Sequence, residues 1–436
     1  MGRFMSIDYL HEEELLDREE LNKLQVERLR SRIDAAKKSR FYSLRLQAFQ
    51  AEDIQNIEDV KKLPFTTKDD LREYYPDGFL CRPMNEMVRM HASSGTTGSP
   101  TAIFYTGKDL DTWADLVARC MYMAGVREGD VFQNLSGYGL FTGGLGIHYG
   151  AERLGALTIP AGAGNSKRQI KLLQDFRVSV MHIIPSYALH LFNVIHSSGL
   201  TPQDFNLRIA LIGAEPHSEE IRQLIQEKFR IKAYNSYGLS EMNGPGVGFE
   251  CTEQNGMHIW EDAYIVEVLD PSTLEPVPNG EIGELVLTSL TREGMPLIRY
   301  RTKDLTRIIP GKCNCGREHA RIDRILGRTD DMIILKGVNI YPLQVEKVLM
   351  GIPEVGQNYL IVLEQQDYID NMRVRVEIKD EYFEEDMRAL KGLEQKIAHS
   401  LREEILITPK VELVEHNSIA NNHGKAERVV DNRSCQ

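Results

Sequence analysis

Cysteine is scarce: six residues in a chain of 436 make no disulfide framework, and a reducing compartment keeps them as thiols or metal ligands. No run of about 18 apolar residues occurs, so no membrane-spanning helix is expected. The first residues turn acidic at Glu12, Glu13 and Glu14, where a signal peptide would carry its apolar core. A soluble, cytoplasmic protein with no membrane contact is the expectation. Excess positive charge is also lacking, with 52 Lys and Arg against 64 Asp and Glu and a net charge of −12. Phosphate-backbone binding draws on clustered cations, so a nucleic-acid partner is excluded. Neither internal repeats nor low-complexity tracts are visible. What remains is an ordinary globular composition, 42% hydrophobic and 27% charged, enough for two or three domains with large cores.

Residues 8–39 read as one long polar helix, with Asp8 as its cap, carboxylates early, and Lys37, Lys38 and Arg40 late, as the helix dipole favours. Leu10, Leu21, Leu24 and Leu29 give it a narrow buried stripe. From about 108 to 306, helical stretches alternate with short apolar runs such as 178–184 and 208–212. Continuous apolar runs ending in Gly or Pro suit strands buried on both faces, which predicts an α/β architecture. Past Gly327 charge density rises, and strand, helix, strand and helix are expected between Val355 and Val414. The polar break Arg328-Thr329-Asp330-Asp331 sets a domain boundary: residues 1–328 form a large N-terminal domain of mixed β-sheets flanked by helices, and 329–436 a smaller, mobile α+β domain.

The chemistry-bearing stretch is 91–101, His-Ala-Ser-Ser-Gly-Thr-Thr-Gly-Ser-Pro-Thr. Its glycines let backbone N–H groups converge on an anion, and its hydroxyls add donors. It lacks the Gly-Lys-Ser/Thr ending of a P-loop NTPase, which disfavours a kinase or ATPase. Further motifs follow in order: Gly213-Ala214-Glu215-Pro216, Tyr237-Gly238-Leu239-Ser240-Glu241, Gly283-Glu284-Leu285-Val286, Tyr300-Arg301-Thr302-Lys303-Asp304-Leu305, Gly327-Arg328-Thr329-Asp330-Asp331 and Gly424-Lys425. Together they resemble the adenylate-forming superfamily of acyl- and aryl-CoA synthetases, luciferases and peptide-synthetase adenylation domains. Within it, the stretches 137–144 and 336–342 are similar to signatures of the phenylacetate–coenzyme A ligase family.

The resemblance implies ATP, Mg²⁺ and coenzyme A as co-substrates and cofactor, and it implies roles residue by residue. Ser93, Ser94, Gly95, Thr96, Thr97 and Gly98 would cradle ATP phosphates. Glu241 would hold Mg²⁺, a hard-oxygen task that suits a carboxylate. Tyr237 would lie against adenine, walled by Ala214, Glu215 and Pro216, with Asn235, Ser236 and Gly238 beside it; a buried structural tyrosine is the plainer reading. Asp304 would accept hydrogen bonds from the ribose. Lys425 would bridge the acid carboxylate and the α-phosphate, Arg328 would touch phosphate, and Asp330 would be the hinge about which the small domain swings between two poses. One departure stands out: Ser99 replaces the lysine common after the second glycine, with Lys68 or Lys108 as substitutes.

Two further sites are read from residue chemistry. Glycines and aromatics at 137–150 can admit a flat ring, with Phe141, Gly143 and Ala214 as acyl-pocket candidates and Tyr138 behind them. Cys251, His258, Cys313 and Cys315 match a closed, structural Zn²⁺ site, with His319 as the alternative imidazole; buried free thiols are the bland alternative, and Cys81, Cys120 and Cys435 have no comparable partners. The expected function is therefore ATP-dependent adenylation of a small aryl acid, phenylacetate first, then thioester formation with coenzyme A. Loading of a carrier-protein thiol and a zinc-braced nucleotide-binding protein without turnover are the competing readings. A homodimer is left open.

Overall fold

A computed structural model describes residues 10–92, 100–336, 338–366, 369–383, 387–416, 418–419 and 428–433. Residues 93–99 and Lys425 lie outside the described residues, as do Asp8 and Cys435. The chain forms two compact units. One comprises Met1–Ile183, Gln203–Ala214 and Tyr234–Ile325, the other Ile184–Pro202, Glu215–Ala233 and Leu326–Gln436.

The first unit is built on a nine-stranded sheet. Its order is Ile308–Ile309, Arg321–Ile322, Met257–Ile259, Gly244–Glu250, Lys232–Leu239, Ile209–Gly213, Val180–Ile183, Val131–Asn134 and Leu157–Ile159. The last four run parallel. Every residue of Val180–Ile183 and Ile209–Gly213 is buried, as continuous apolar runs require of strands covered on both faces. Beyond Lys232–Leu239 the sheet becomes antiparallel, which brings Cys251, His258 and the 313–315 loop to one end of it. A separate antiparallel meander, Tyr264–Leu269, Gly283–Ser289 and Tyr300–Thr306, carries Asp304. The hairpin Arg89–Ala92 with Ala102–Tyr105 flanks residues 93–99.

The N-terminal helix differs from the expectation of one element over 8–39. A 3₁₀ turn, Glu12–Leu15, precedes a helix at Arg18–Ala36. Asp17 is the cap, accepting from the Glu20 N–H while Glu20 reaches back to the Asp17 N–H; this reciprocal pairing starts a helix at 18. Glu14 is fully buried against Arg317 and Arg119, so the turn before Asp17 is drawn inward by charge. Leu21 and Leu29 are fully buried, whereas Leu10 is exposed.

The second unit holds a four-stranded sheet in the order Lys410–Val414, Ile369–Ile378, Val355–Gln366, Val429–Asp431. Instead of the expected strand, helix, strand, helix, two antiparallel strands come first, then the helix Met387–Ile405 and the strand Lys410–Val414. Val374, Val376 and Ile378 are buried at alternate positions, a period of two that suits a second strand and no helix. The helix buries Leu393, Ile397, Leu401 and Ile405, one residue per turn. Mixed sheets in an α/β body and a smaller α+β part thus match the predicted class. Among the described residues no helix is long and apolar enough to cross a membrane.

Candidate active site

The hairpin flanking 93–99 is anchored from several sides. The Leu140 carbonyl accepts from the Ala92 N–H at 2.9 Å and faces His91 Nδ1 at 3.0 Å, which ties the glycine-rich 137–141 loop to it. Burial lowers the His91 pKa, so the ring is a neutral donor there. On the second strand, the Tyr105 hydroxyl donates to the Ser240 carbonyl at 3.3 Å. Glu241, buried in the short turn Ser240–Met242, receives the Thr101 hydroxyl at 3.5 Å and lies 3.8 Å from Lys68 Nζ, both at Oε1. The two strands on either side of 93–99, the 137–141 loop and Glu241 are therefore fastened to one another.

Tyr237 and Asp304 come from different sheets and meet: the phenol donates to Asp304 Oδ2 at 2.5 Å, with both side chains buried. The sequence assigned them to adenine and ribose separately; their mutual hydrogen bond had no signal in either motif. Asn235 donates its N–H to Glu250 at 2.7 Å, and the Ser236 hydroxyl spans to the Ile212 carbonyl at 3.0 Å, so these groups brace the strand ends. Gly238 is required by space, since a Cβ there would stand 1.9 Å from the Gly244 oxygen. Ala214 is exposed with φ +70°, turning the chain sharply at the carboxyl end of Ile209–Gly213, where open α/β sheets bind ligands.

Glu215, Pro216, Arg328 and Asp330 line one cavity of about 440 Å³ within the second unit. Glu215 Oε1 accepts from the Ser186 N–H at 2.7 Å. Arg328 is forked onto Asp330 at 2.9 and 3.0 Å, so the expected phosphate contact and the expected hinge are paired with each other.

Among the acid-pocket candidates, Phe141 is exposed at the start of the helix Thr142–Leu154, and a Cβ on Gly143 would meet nothing within 4 Å. The Tyr138 hydroxyl bonds Asn134 Nδ2 at 3.0 Å and lies 3.2 Å from His148 Nδ1. Behind it, Asn134, Ser136 and His182 form a buried polar cluster, with His182 Nδ1 at 3.1 Å from both partners; burial pushes the His182 pKa down to about 4. Sequence reasoning did not single this cluster out. It also missed Arg292, fully buried, which donates to the Glu241 carbonyl at 3.0 Å and the Phe104 carbonyl at 2.7 Å. In Thr291-Arg292-Glu293-Gly294 an arginine reads as a turn residue, which hides its burial.

The Cys/His group converges. Cys251 Sγ lies 3.6 Å from Cys313 Sγ, Cys315 Sγ 3.3 Å from His258 Nε2, and all four ligand atoms fall within 4.8 Å of one another. Ligands at roughly 2.0–2.3 Å around a tetrahedral zinc stand about 3.3–3.8 Å apart, so the donor set fits that ion. His258 Nδ1 faces the His319 carbonyl at 3.3 Å, which orients Nε2 toward the sulfurs. His319 is engaged elsewhere: Nδ1 accepts from the Glu261 N–H, and Nε2 donates to the Glu13 carbonyl, both at 2.9 Å. His258 is the imidazole in the cluster. Cys81 and Cys120 are buried thiols raised to about 12 by desolvation.

Comparison with known proteins shows the family of the chain. Residues 21–291 match the AMP-binding enzyme family, and 337–433 match the AMP-binding enzyme C-terminal domain. A phenylacetate-coenzyme A ligase of Thermus thermophilus is 44% identical over 98% of this chain and 99% of its own length. Its counterpart in Escherichia coli is 41% identical over 88% and 87%. A crystal structure of 2-hydroxyisobutyryl-CoA ligase in the postadenylation state superposes with a TM-score of 0.91 at 30% identity, covering 98% of this chain and 95% of that one. Matched along nearly its whole length by such proteins, the chain belongs to the AMP-binding enzyme family, among its acid–coenzyme A ligases.

Proposed function

We propose that this ligase takes phenylacetate, or a close aryl acid, as its carboxylate. The near full-length 44% identity to the Thermus thermophilus phenylacetate-coenzyme A ligase carries the reading, and the exposed ring of Phe141 beside the side-chain-free Gly143 supports it. The acid carboxylate attacks the α-phosphorus of ATP, a new acyl O–P bond forms, and pyrophosphate leaves. The thiol of coenzyme A then attacks the acyl carbon, and AMP leaves with the electrons of the broken bond. With a poor nucleophile and like charges to bring together, the protein's part is positioning and electrostatics.

In this reading the ring of Tyr237 faces adenine, the Asp304 carboxylate accepts from the ribose, and Tyr237 fixes that carboxylate. Glu241 would hold Mg²⁺, which takes one or two carboxylates plus substrate phosphates and supplies charge neutralisation when bound. Residues 93–98 and Lys425 take the phosphate and carboxylate roles the family resemblance implies, and Arg328 and Asp330 the phosphate and hinge roles. Residues 329–436 act as the mobile small domain. Cys251, His258, Cys313 and Cys315 would hold Zn²⁺ in a closed structural site with no open position for chemistry. A cytoplasmic location completes the proposal.

Acid-dependent exchange of labelled pyrophosphate into ATP, followed by mass spectrometry of the product with coenzyme A, tests the acid assignment. Phenylacetate, benzoate, indoleacetate and 2-hydroxyisobutyrate form the panel. Phenylacetate is expected to give the highest kcat/KM; preference for the aliphatic acid would overturn the aryl reading.

A further inference from the structure

We propose that Lys68 is the cation that receives the outer phosphates of ATP in this chain, which makes it a catalytic residue of the adenylation half-reaction. The inference rests on the ligase reading and adds a residue to it.

From Ser93 to Gly107 the chain has no lysine or arginine. The stretch 93–107 holds many hydroxyl side chains but no positive charge for a ligand carrying several negative ones. The next cation in sequence, Lys108, is turned to Glu293 at 2.8 Å and is mostly exposed. Arg292 is fully buried, with two of its nitrogens committed to the carbonyls of Glu241 and Phe104. Among the described residues, Lys68 is the cation that an ion pair places on Glu241.

Its geometry suits the task. Nζ stands 3.8 Å from Glu241 Oε1, the oxygen that the Thr101 hydroxyl also reaches, and the side chain remains 36% exposed. A contact that long holds the ammonium near the carboxylate without locking it. Polyphosphate oxygens beside that carboxylate carry more negative charge than the single carboxylate and become the stronger partner. As the bond between the α-phosphorus and the bridging oxygen breaks, charge gathers on departing pyrophosphate, where a fixed ammonium stabilises the transition state most. Lys68 and Lys425 would then divide the work, one at the leaving group and one at the attacking carboxylate.

The test compares Lys68→Met and Lys68→Arg with the intact wild-type protein by pyrophosphate exchange, by binding of ATP and of AMP, and by thioester formation from supplied acyl-adenylate. Lys68→Met is expected to slow exchange about 50-fold or more and to weaken ATP, while AMP binding and thioester formation stay within about twofold, because neither involves the outer phosphates. Lys68→Arg should restore much of the exchange. A merely structural lysine would shift ATP and AMP binding together; that result, or exchange within about threefold of wild type, overturns the proposal. Should wild type show no exchange with any acid, the ligase reading fails separately, and the ATP-against-AMP comparison still decides the role of Lys68.

Discussion

The Tyr237 hydroxyl donates to Asp304 Oδ2 across 2.5 Å, joining the nine-stranded sheet to the antiparallel meander by a buried, charge-assisted hydrogen bond. If Asp304 receives the ribose, this phenol sets the carboxylate's position before the nucleotide arrives. Tyr237→Phe keeps the ring and removes the donor, leaving a buried carboxylate short of one partner. Hydrogen bonds to charged groups contribute about 1.5–3 kcal/mol, so KM for ATP should rise about tenfold or more, with a smaller change in kcat. Steady-state kinetics at saturating acid checks this, and an unchanged KM would show that the phenol does not serve the nucleotide.

His182 gives the fold a pH dependence. Burial lowers its pKa from 6.5 to about 4, so as the pH falls the unfolded chain takes up a proton that the fold refuses. Its contribution is present above about pH 6.5 and is lost toward pH 4, by about 3 kcal/mol across the gap at roughly 1.4 kcal/mol per unit. Denaturant unfolding of wild type and His182→Gln between pH 7 and 4.5 should give a flatter stability profile for the variant. Equal slopes would contradict the shift.

Zinc is tested without reference to turnover. One zinc per chain is expected by elemental analysis, with its loss on strong chelation accompanied by a fall in Tm. Cys313→Ser should lose the metal and about 2–4 kcal/mol of stability, since structural zinc contributes folding energy directly. His319→Ala should keep the metal, because both its ring nitrogens are engaged outside the cluster. A metal-free protein of unchanged Tm would leave the four residues as buried thiols and an imidazole.

Legibility in the sequence followed the range of the interactions. The runs 178–184 and 208–212 announced buried parallel strands because burial on both faces leaves a purely local, apolar trace. The helix at Arg18–Ala36 was legible as a helix but not in its start, since Asp17 and Asp8 are equally good caps locally, and the burial of Glu14 against Arg317 depends on residues 303 positions apart. The second strand, Ile369–Ile378, was not expected because charged Arg373 and Arg375 interrupt the apolar run and Glu377, fully buried, breaks the alternation. Ordered motifs pointed to Glu241, Tyr237 and Asp304, yet the hydrogen bond between Tyr237 and Asp304 arises only when separate sheets meet. For the same reason sequence could not choose between Lys68 and Lys108, or between His258 and His319, whereas hydrogen-bond and ion-pair partners separate both pairs at once.

The most direct test of the whole account is phenylacetate-dependent exchange of labelled pyrophosphate into ATP by the purified, full-length protein, before any coenzyme A is added. Exchange that requires both the acid and Mg²⁺, and that Lys425→Ala abolishes, is the predicted result. ATP binding with no acid-dependent exchange across the panel would contradict it and leave a nucleotide-binding protein without adenylation.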